Sequence, residues 1–130
     1  MPLVRIDLLK GKTPEYRDQV GQTIYQAMLS EIGVLPNDFF QVITEHSKDG
    51  LRFDREYLGI HRSDDCIFIQ ITLNSGRTVE QKQRFYKAIA DALHTKLKVR
   101  REDVLINLVE VSKENWSFGN GEAQYATPTK

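Results

Sequence analysis

The stretch IDLLKGKTPEYRDQV, residues 6–20, returns at residues 71–85 as ITLNSGRTVEQKQRF. Sliding the chain on itself by 65 positions aligns the two halves without a gap. Between residues 6 and 45 ten positions are identical: Ile6/Ile71, Leu8/Leu73, Gly11/Gly76, Thr13/Thr78, Glu15/Glu80, Ile24/Ile89, Ala27/Ala92, Val34/Val99, Asp38/Asp103 and Glu45/Glu110. Many other pairs keep their polarity, as Lys12 does with Arg77. A register this long, with the same turn residues, marks a repeat of half the chain.

Each half spells strand, helix, strand. Val4, Ile6 and Leu8 alternate with Arg5 and Asp7, the pattern of a half-buried strand over about 3–9. After Gly11, Thr13 is a helix N-cap and Pro14 sits at the favoured first helical position. Val20, Ile24, Ala27, Met28, Leu29 and Ile32 make one apolar helical face. FFQVIT (39–44) reads as the following strand. In the second half CIFIQITL is a nearly continuous apolar strand, as an interior position requires. Thr78 and Gln81 form a capping box, and that helix runs to about Leu97. VLINLVEV closes the unit.

Two βαβ repeats, about 2–45 and 67–110, predict an α+β fold. Its mixed four-stranded sheet carries both helices on one face about an approximate two-fold axis. The other face is then left uncovered, which predicts packing against other subunits. The connecting segment 46–66 is too long for a structureless loop, so a short hairpin or edge strand is expected near Phe53–Ile60. A C-terminal segment, 112–130, follows the last strand.

Composition narrows the function. A chain of 130 residues suits a single domain (1–130), and its 40% hydrophobic content is that of a soluble protein. Eighteen basic residues balance eighteen acidic ones, which gives no general reason to bind nucleic acid or an anionic membrane. No apolar run reaches the ~20 residues of a membrane helix, and no signal peptide is visible, so a cytoplasmic protein is expected. Cys66 is the only cysteine, so no intrachain disulfide is possible. His46, His61 and His94 lack metal spacing, and neither GxSxG nor GxGxxG occurs, so no metal or cofactor is expected.

Four features carry candidate chemistry. Pro2 opens a strand, where proline needs no ladder N–H. If Met1 is removed, its nitrogen also becomes a secondary amine titrating near pH ~8, able to act as acid or base. Arg77 sits at a strand-to-helix turn, where a guanidinium beside helix N–H groups makes a carboxylate cradle; Lys12 in the equivalent place shows that the turn also simply accommodates a cation. Asp38 follows Pro36, and its mate Asp103 suggests a shared turn-capping role. Trp116, Phe118 and Tyr125 are interleaved with Gly119 and Gly121, either as a pocket wall or as oligomer packing.

Together, the leading proline, the doubled βαβ and the GKT/GRT turns resemble the tautomerase superfamily. Within it, PNDFFQVITEH, LGIHRS, GRTVEQKQRFY and WSFGNGEAQY are similar to the malonate semialdehyde decarboxylase family. The resemblance runs from Pro2 to about Thr127. It implies Pro2 as the catalytic proline, Asp38 as the acid that orients or assists it, and Arg77 as the anchor of a small carboxylate substrate. Trp116, Phe118 and Tyr125 then wall the pocket, and the chain assembles as a homotrimer. Members of the family can carry a second arginine in an Arg-x-Arg arrangement. Here the stretch is Asn74, Ser75, Gly76, Arg77, with one arginine. The leading expectation is decarboxylation of a small 3-oxo acid such as malonate semialdehyde. The alternatives are a keto–enol tautomerase or hydratase of a related 2-oxo or unsaturated acid, or a catalytically silent trimeric binding protein.

Overall fold

The repeat folds twice into the same unit. In the computed structural model the elements are β1 (Leu3–Leu9), α1 (Pro14–Glu31), β2 (Gln41–His46), β3 (Ile67–Asn74), α2 (Val79–Leu97) and β4 (Val104–Val111). Residues 2–126 are described. Met1, whose removal or retention decides the chemistry of Pro2, lies outside the described residues, as does the end of the C-terminal segment from Thr127.

The four strands form one mixed sheet in the order β2-β1-β3-β4. β1 runs antiparallel to β3, while β1/β2 and β3/β4 are parallel, each pair spanned by its own helix. The register shows the internal symmetry directly. Arg5 faces Gln70, its own repeat mate, so the pseudo-two-fold axis passes through that pair. Val4↔Gln41 in the first half corresponds to Ile69↔Ile106 in the second.

Local chemistry sets the helix ends in both copies. Gly11 and Gly76 adopt φ of +123° and +127°, a conformation that a side chain resists. Thr13 Oγ1 then accepts from the Tyr16 N–H, and Thr78 Oγ1 from the Gln81 N–H. At the far end, the Val34 N–H donates to the Met28 carbonyl and the Val99 N–H to the Leu93 carbonyl. Each of these closes a turn through a left-handed residue, Gly33 in one half and Lys98 in the other.

Val4, Ile6 and Leu8 of β1 and Ile67, Ile69, Ile71 and Leu73 of β3 meet Val20, Ile24, Met28, Phe85, Ile89 and Leu93 of the helices in one buried core. Burying each such side chain contributes roughly 1.5–3 kcal/mol. Both helices therefore cover the same face. The opposite face presents Leu3, Val42, Leu105 and Val109 to solvent, with Arg5, Gln70 and Asn107 between them.

Two expectations are corrected. β2 begins at Gln41, not Phe39, because the two phenylalanines serve different neighbours. Phe39 packs edge-on against Tyr25 of α1 (5.1 Å), and Phe40 turns towards Phe118 (6.1 Å). Segment 53–60 holds no strand. Leu58 and Gly59 both take positive φ, which turns the chain into a short 3₁₀ turn at Tyr57–Gly59. Asp54 Oδ1 caps the Glu56 N–H, and the Arg62 guanidinium binds the carbonyls of Tyr57 and Ile60. Side chains thus satisfy backbone groups that a strand would have paired.

Candidate active site

The antiparallel register brings the start of the chain to the end of β3. Leu3 faces Thr72, so buried Pro2 lies where β3 runs out into the turn carrying Arg77. The Val4 N–H donates to the Phe40 carbonyl (3.0 Å), which draws residues 38–40 to the same end. The Ser75 N–H binds the Val111 carbonyl (3.0 Å), and β4 leads from there into the aromatic segment. A recess of about 220 Å³ results, lined by Pro2, Leu3, Phe40, Trp116, Ser117 and Phe118.

The wall is a stack of rings. Trp116 lies nearly parallel to Phe118 (centroids 5.3 Å apart, 11° between planes), and Tyr125 meets Phe118 edge-on at 5.0 Å. Gln124 fixes the loop between them: its Oε1 accepts from the Phe118 N–H and its Nε2 donates to the Gly119 carbonyl, both at 2.9 Å. The indole Nε1–H of Trp116 donates to Asn74 Oδ1 at 2.8 Å. Arg77 is tied to the same residue, since its Nη1 donates to the Asn74 carbonyl (3.1 Å) and its Nη2 to the Ile32 carbonyl (2.8 Å). A guanidinium has five N–H donors, so three remain beyond these two bonds. Glu110, which also feels the Arg77 charge, is taken by Lys82 at 2.8 Å.

Asp38 differs from the other acids. Its Oδ1 is buried and has no hydrogen-bond partner among the described residues. Burial pushes its carboxyl above the usual aspartate range, because the charged form loses water without gaining a donor. The Tyr125 hydroxyl is raised as well, first by burial and then by the Asp38 charge, which places the two groups within electrostatic reach. The expected turn is real, with the Asp38 N–H on the Leu35 carbonyl (3.1 Å), but the carboxylate itself caps nothing.

A wider recess, about 440 Å³, lies at the turn after β1, lined in part by Lys10, Lys12, Lys48, Asp64 and Asp65. Both of its aspartates are taken by lysines: Lys12 meets Asp65 at 2.8 Å and Lys48 meets Asp64 at 3.1 Å. The smaller recess is lined by Pro2 and by Phe40, two residues on from the unsatisfied acid, and is the better site. Among the described residues no three His, Cys, Asp or Glu side chains come together as a metal site would need. Cys66 is buried, and burial pushes its thiol up to about 11, which leaves it unreactive at neutral pH.

The sequence matches the family described as tautomerase enzymes over residues 38–119, and a second tautomerase enzyme family over residues 2–59. The chain belongs to the tautomerase enzymes. It is 44% identical over 124 residues to the probable tautomerase YusQ of Bacillus subtilis (strain 168), covering 95% of this chain and 98% of that one. FG41 malonate semialdehyde decarboxylase, solved as inhibited by 3-bromopropiolate, superposes with a TM-score of 0.88 at 33% identity, over 97% of this chain and 99% of that one. A fused 4-OT solved as a symmetric trimer shares the fold alone, with a TM-score of 0.77 at 21% identity over 97% and 99% of the chains. No helix among the described residues of this tautomerase is long and apolar enough to cross a membrane.

Of the residues singled out in the sequence, Pro2, Trp116 and Phe118 line one recess of the tautomerase fold, whereas Tyr125, Asp38 and Arg77 are not in its lining. Tyr125 packs on Phe118 and lies within electrostatic reach of Asp38, and Arg77 is linked to Trp116 only through Asn74. Sequence reasoning missed Phe40 and Asn74. The pattern FFQVIT places Phe40 inside a strand. Asn74 had a signal: its repeat mate is Leu9, so the strand end does not itself require an amide.

Proposed function

We propose that this protein is an amino-terminal-proline enzyme that decarboxylates a small 3-oxo acid such as malonate semialdehyde. The observation that carries the reading is the unpartnered, buried oxygen of Asp38, two residues before a phenylalanine that lines the Pro2 recess. A buried acceptor without a donor is costly. With Met1 removed, the Pro2 nitrogen becomes a secondary amine whose protonated form carries two N–H donors, and one of them supplies that oxygen with a partner.

The chemistry follows from these groups. Arg77 holds the substrate carboxylate with its remaining donors. The protonated Pro2 amine donates to the 3-oxo oxygen, which accepts the electron pair released as the bond between C2 and the carboxylate breaks. CO2 leaves as a neutral molecule into the dry aromatic recess, which disfavours the charged carboxylate that precedes it. The enol left behind takes a proton at C2, returns its hydroxyl proton to Pro2 and becomes the aldehyde. An unprotonated Pro2 reaches the same end by adding to the carbonyl with loss of water. The iminium takes the electron pair as CO2 leaves, the enamine is protonated at C2, and water hydrolyses the new iminium to free the aldehyde and Pro2.

A second reading is a tautomerase or hydratase for a 2-oxo or unsaturated acid, using the same amine to shuttle a proton. The single arginine in Asn74-Ser75-Gly76-Arg77 and the name of the 44% identical relative favour it. We place the protein in a homotrimer in which the uncovered sheet face packs on other copies. The exposed Leu3, Val42, Leu105 and Val109 support this, as does the trimeric state of the fused 4-OT. Light scattering should then give a mass near three times the 15.0 kDa chain.

The test is CO2 release from 3-oxopropanoate, with protein whose intact mass shows the loss of Met1. Pro2→Ala should lower turnover about 10³-fold or more. Turnover that survives Pro2→Ala sinks both enzymatic readings and leaves a binding protein. Absence of CO2 release with intact Pro2 moves the activity to tautomerisation.

A further inference from the structure

We propose that Asn74 is a positioning residue that registers the carboxylate anchor against the aromatic wall; this rests on, and deepens, the reading of the site given above. One residue grips both parts by different groups. Its backbone carbonyl accepts from Arg77 Nη1 at 3.1 Å, and its side-chain Oδ1 accepts from Trp116 Nε1 at 2.8 Å. Asn74 is the last residue of β3, held in register with Val111 of β4, so the platform is rigid.

The repeat isolates the side chain's role. The mate of Asn74 is Leu9, which ends β1 in the same fold position and is buried at 8% exposure. The equivalent cation, Lys12, is paired with Asp65. After β2 the place of Trp116 is taken by Leu51, and Phe53, the mate of Phe118, packs on Phe68 at 6.0 Å with no indole beside it. The amide therefore appears only in the half that carries an indole, and it answers the one indole N–H in the chain. Without that acceptor the indole slides, the Trp116–Phe118 stack loosens, and water enters the recess at Pro2. The backbone carbonyl still holds Arg77, so carboxylate binding survives.

That division gives separable outcomes. Trp116 is the only tryptophan, so its fluorescence reports on the wall alone. In Asn74→Leu, emission should shift and acrylamide quenching rise about two-fold, with kcat down about ten-fold, KM within two-fold and malonate affinity kept. In Asn74→Asp the acceptor oxygen remains, so Trp116 emission should stay as in the parent. Its new charge beside Arg77 should weaken malonate binding and raise KM about ten-fold. The proposal is overturned if Asn74→Leu leaves Trp116 emission and kcat unchanged, or if Asn74→Asp shifts the emission or leaves malonate binding unchanged. A parent protein that binds no malonate overturns the link to Arg77. Should Asn74→Leu fail to fold, the Asn74→Asp outcomes decide alone. If turnover survives Pro2→Ala while both Asn74 variants behave as stated, the proline reading falls and the role of Asn74 stands.

Discussion

Asp38 and Asp103 close the same turn in the two halves. Each donates its backbone N–H to the carbonyl three residues back, to Leu35 at 3.1 Å and to Arg100 at 2.9 Å. Their carboxylates then part company. Asp103 is fully buried and accepts from the Ser63 N–H (2.7 Å) and Ser63 Oγ (2.6 Å), with the Arg100 guanidinium 3.6 Å away. Asp38 has a buried oxygen with no donor among the described residues. One acid pins the connecting segment to the second half. The other has a buried oxygen left without a partner, two residues before Phe40 of the Pro2 recess. Duplication supplied two copies of one turn, and their carboxylates met different surroundings.

The largest way to break this comparison is to remove the satisfied acid. Asp103→Ala orphans two Ser63 donors, although Arg100 keeps Glu102 (3.3 Å) and the His61 carbonyl (3.0 Å), and should cost about 3 kcal/mol of stability in urea unfolding. Activity per folded molecule should hold. A loss under about 1 kcal/mol would mean that Asp103 is no structural anchor.

Asp38→Asn should do the reverse: it should lower kcat about 10²-fold in protein that has lost Met1, and it should leave protein that keeps Met1, where the Pro2 nitrogen has no proton to donate, as stable or more so. The sign follows from its raised carboxyl. Folding favours the protonated form, so the wild type is unpenalised below the ordinary value of 3.8 and loses stability as pH rises through the folded pKa. The advantage of Asp38→Asn should therefore be present at neutral pH and vanish in acid. Chemical denaturation of both proteins with Met1 retained checks it across that range, and a neutral-pH loss of stability in Asp38→Asn would show that the carboxylate has a structural partner other than the Pro2 amine.

The contrast was only half legible in the sequence. The repeat showed both aspartates in one place, and equal letters argued for equal roles. What separates them lies elsewhere: Ser63 belongs to the connecting segment, outside the repeat, and Arg100 has Leu35 as its mate. The second difference was on the page, because a leucine gives an acid no donor or counter-charge. The helix starts were readable because Thr13, Pro14, Thr78 and Gln81 act within one turn of the chain. The start of β2 was not, since Phe39 and Phe40 take their directions from Tyr25 and Phe118, far off in sequence. Segment 53–60 failed for the same reason: Arg62 and Asp54 satisfy its backbone, and no propensity reports that.

A smaller effect sharpens the symmetry rather than the chemistry. Gly33 and Lys98 are mates in the same left-handed cap, at φ of 69° and 58°. Lysine bears the Cβ strain that glycine avoids, and a Cβ built at Gly33 meets no atom within 4 Å. Lys98→Gly should therefore stabilise the protein by about 0.5–1 kcal/mol, and Gly33→Lys should destabilise it by about as much. Thermal melts of the two variants check the pair; shifts of the same sign would mean that the caps are not equivalent.

The smallest expected effect falls on the other shared cation. Lys12 matches Arg77 in the repeat but spends its charge on Asp65 at 2.8 Å and sits 5.1 Å from the Tyr16 ring centroid, in a pair that stays open to water. Its hydrogen bond to Asp65 raises its pKa, so the contribution is present below 10.5 and lost as pH climbs through the folded value. Screening keeps that contribution small. Lys12→Ala should cost about 0.5 kcal/mol or less, fading in high salt, with KM and kcat untouched. Arg77→Ala should instead raise KM for carboxylates about ten-fold or more and lower turnover at little cost in stability. Titrating both variants with a carboxylate and with its uncharged amide separates the two cations. If Lys12→Ala impaired carboxylate turnover as Arg77→Ala does, the first-half turn would be a second working site, and the division of labour between the halves would fail.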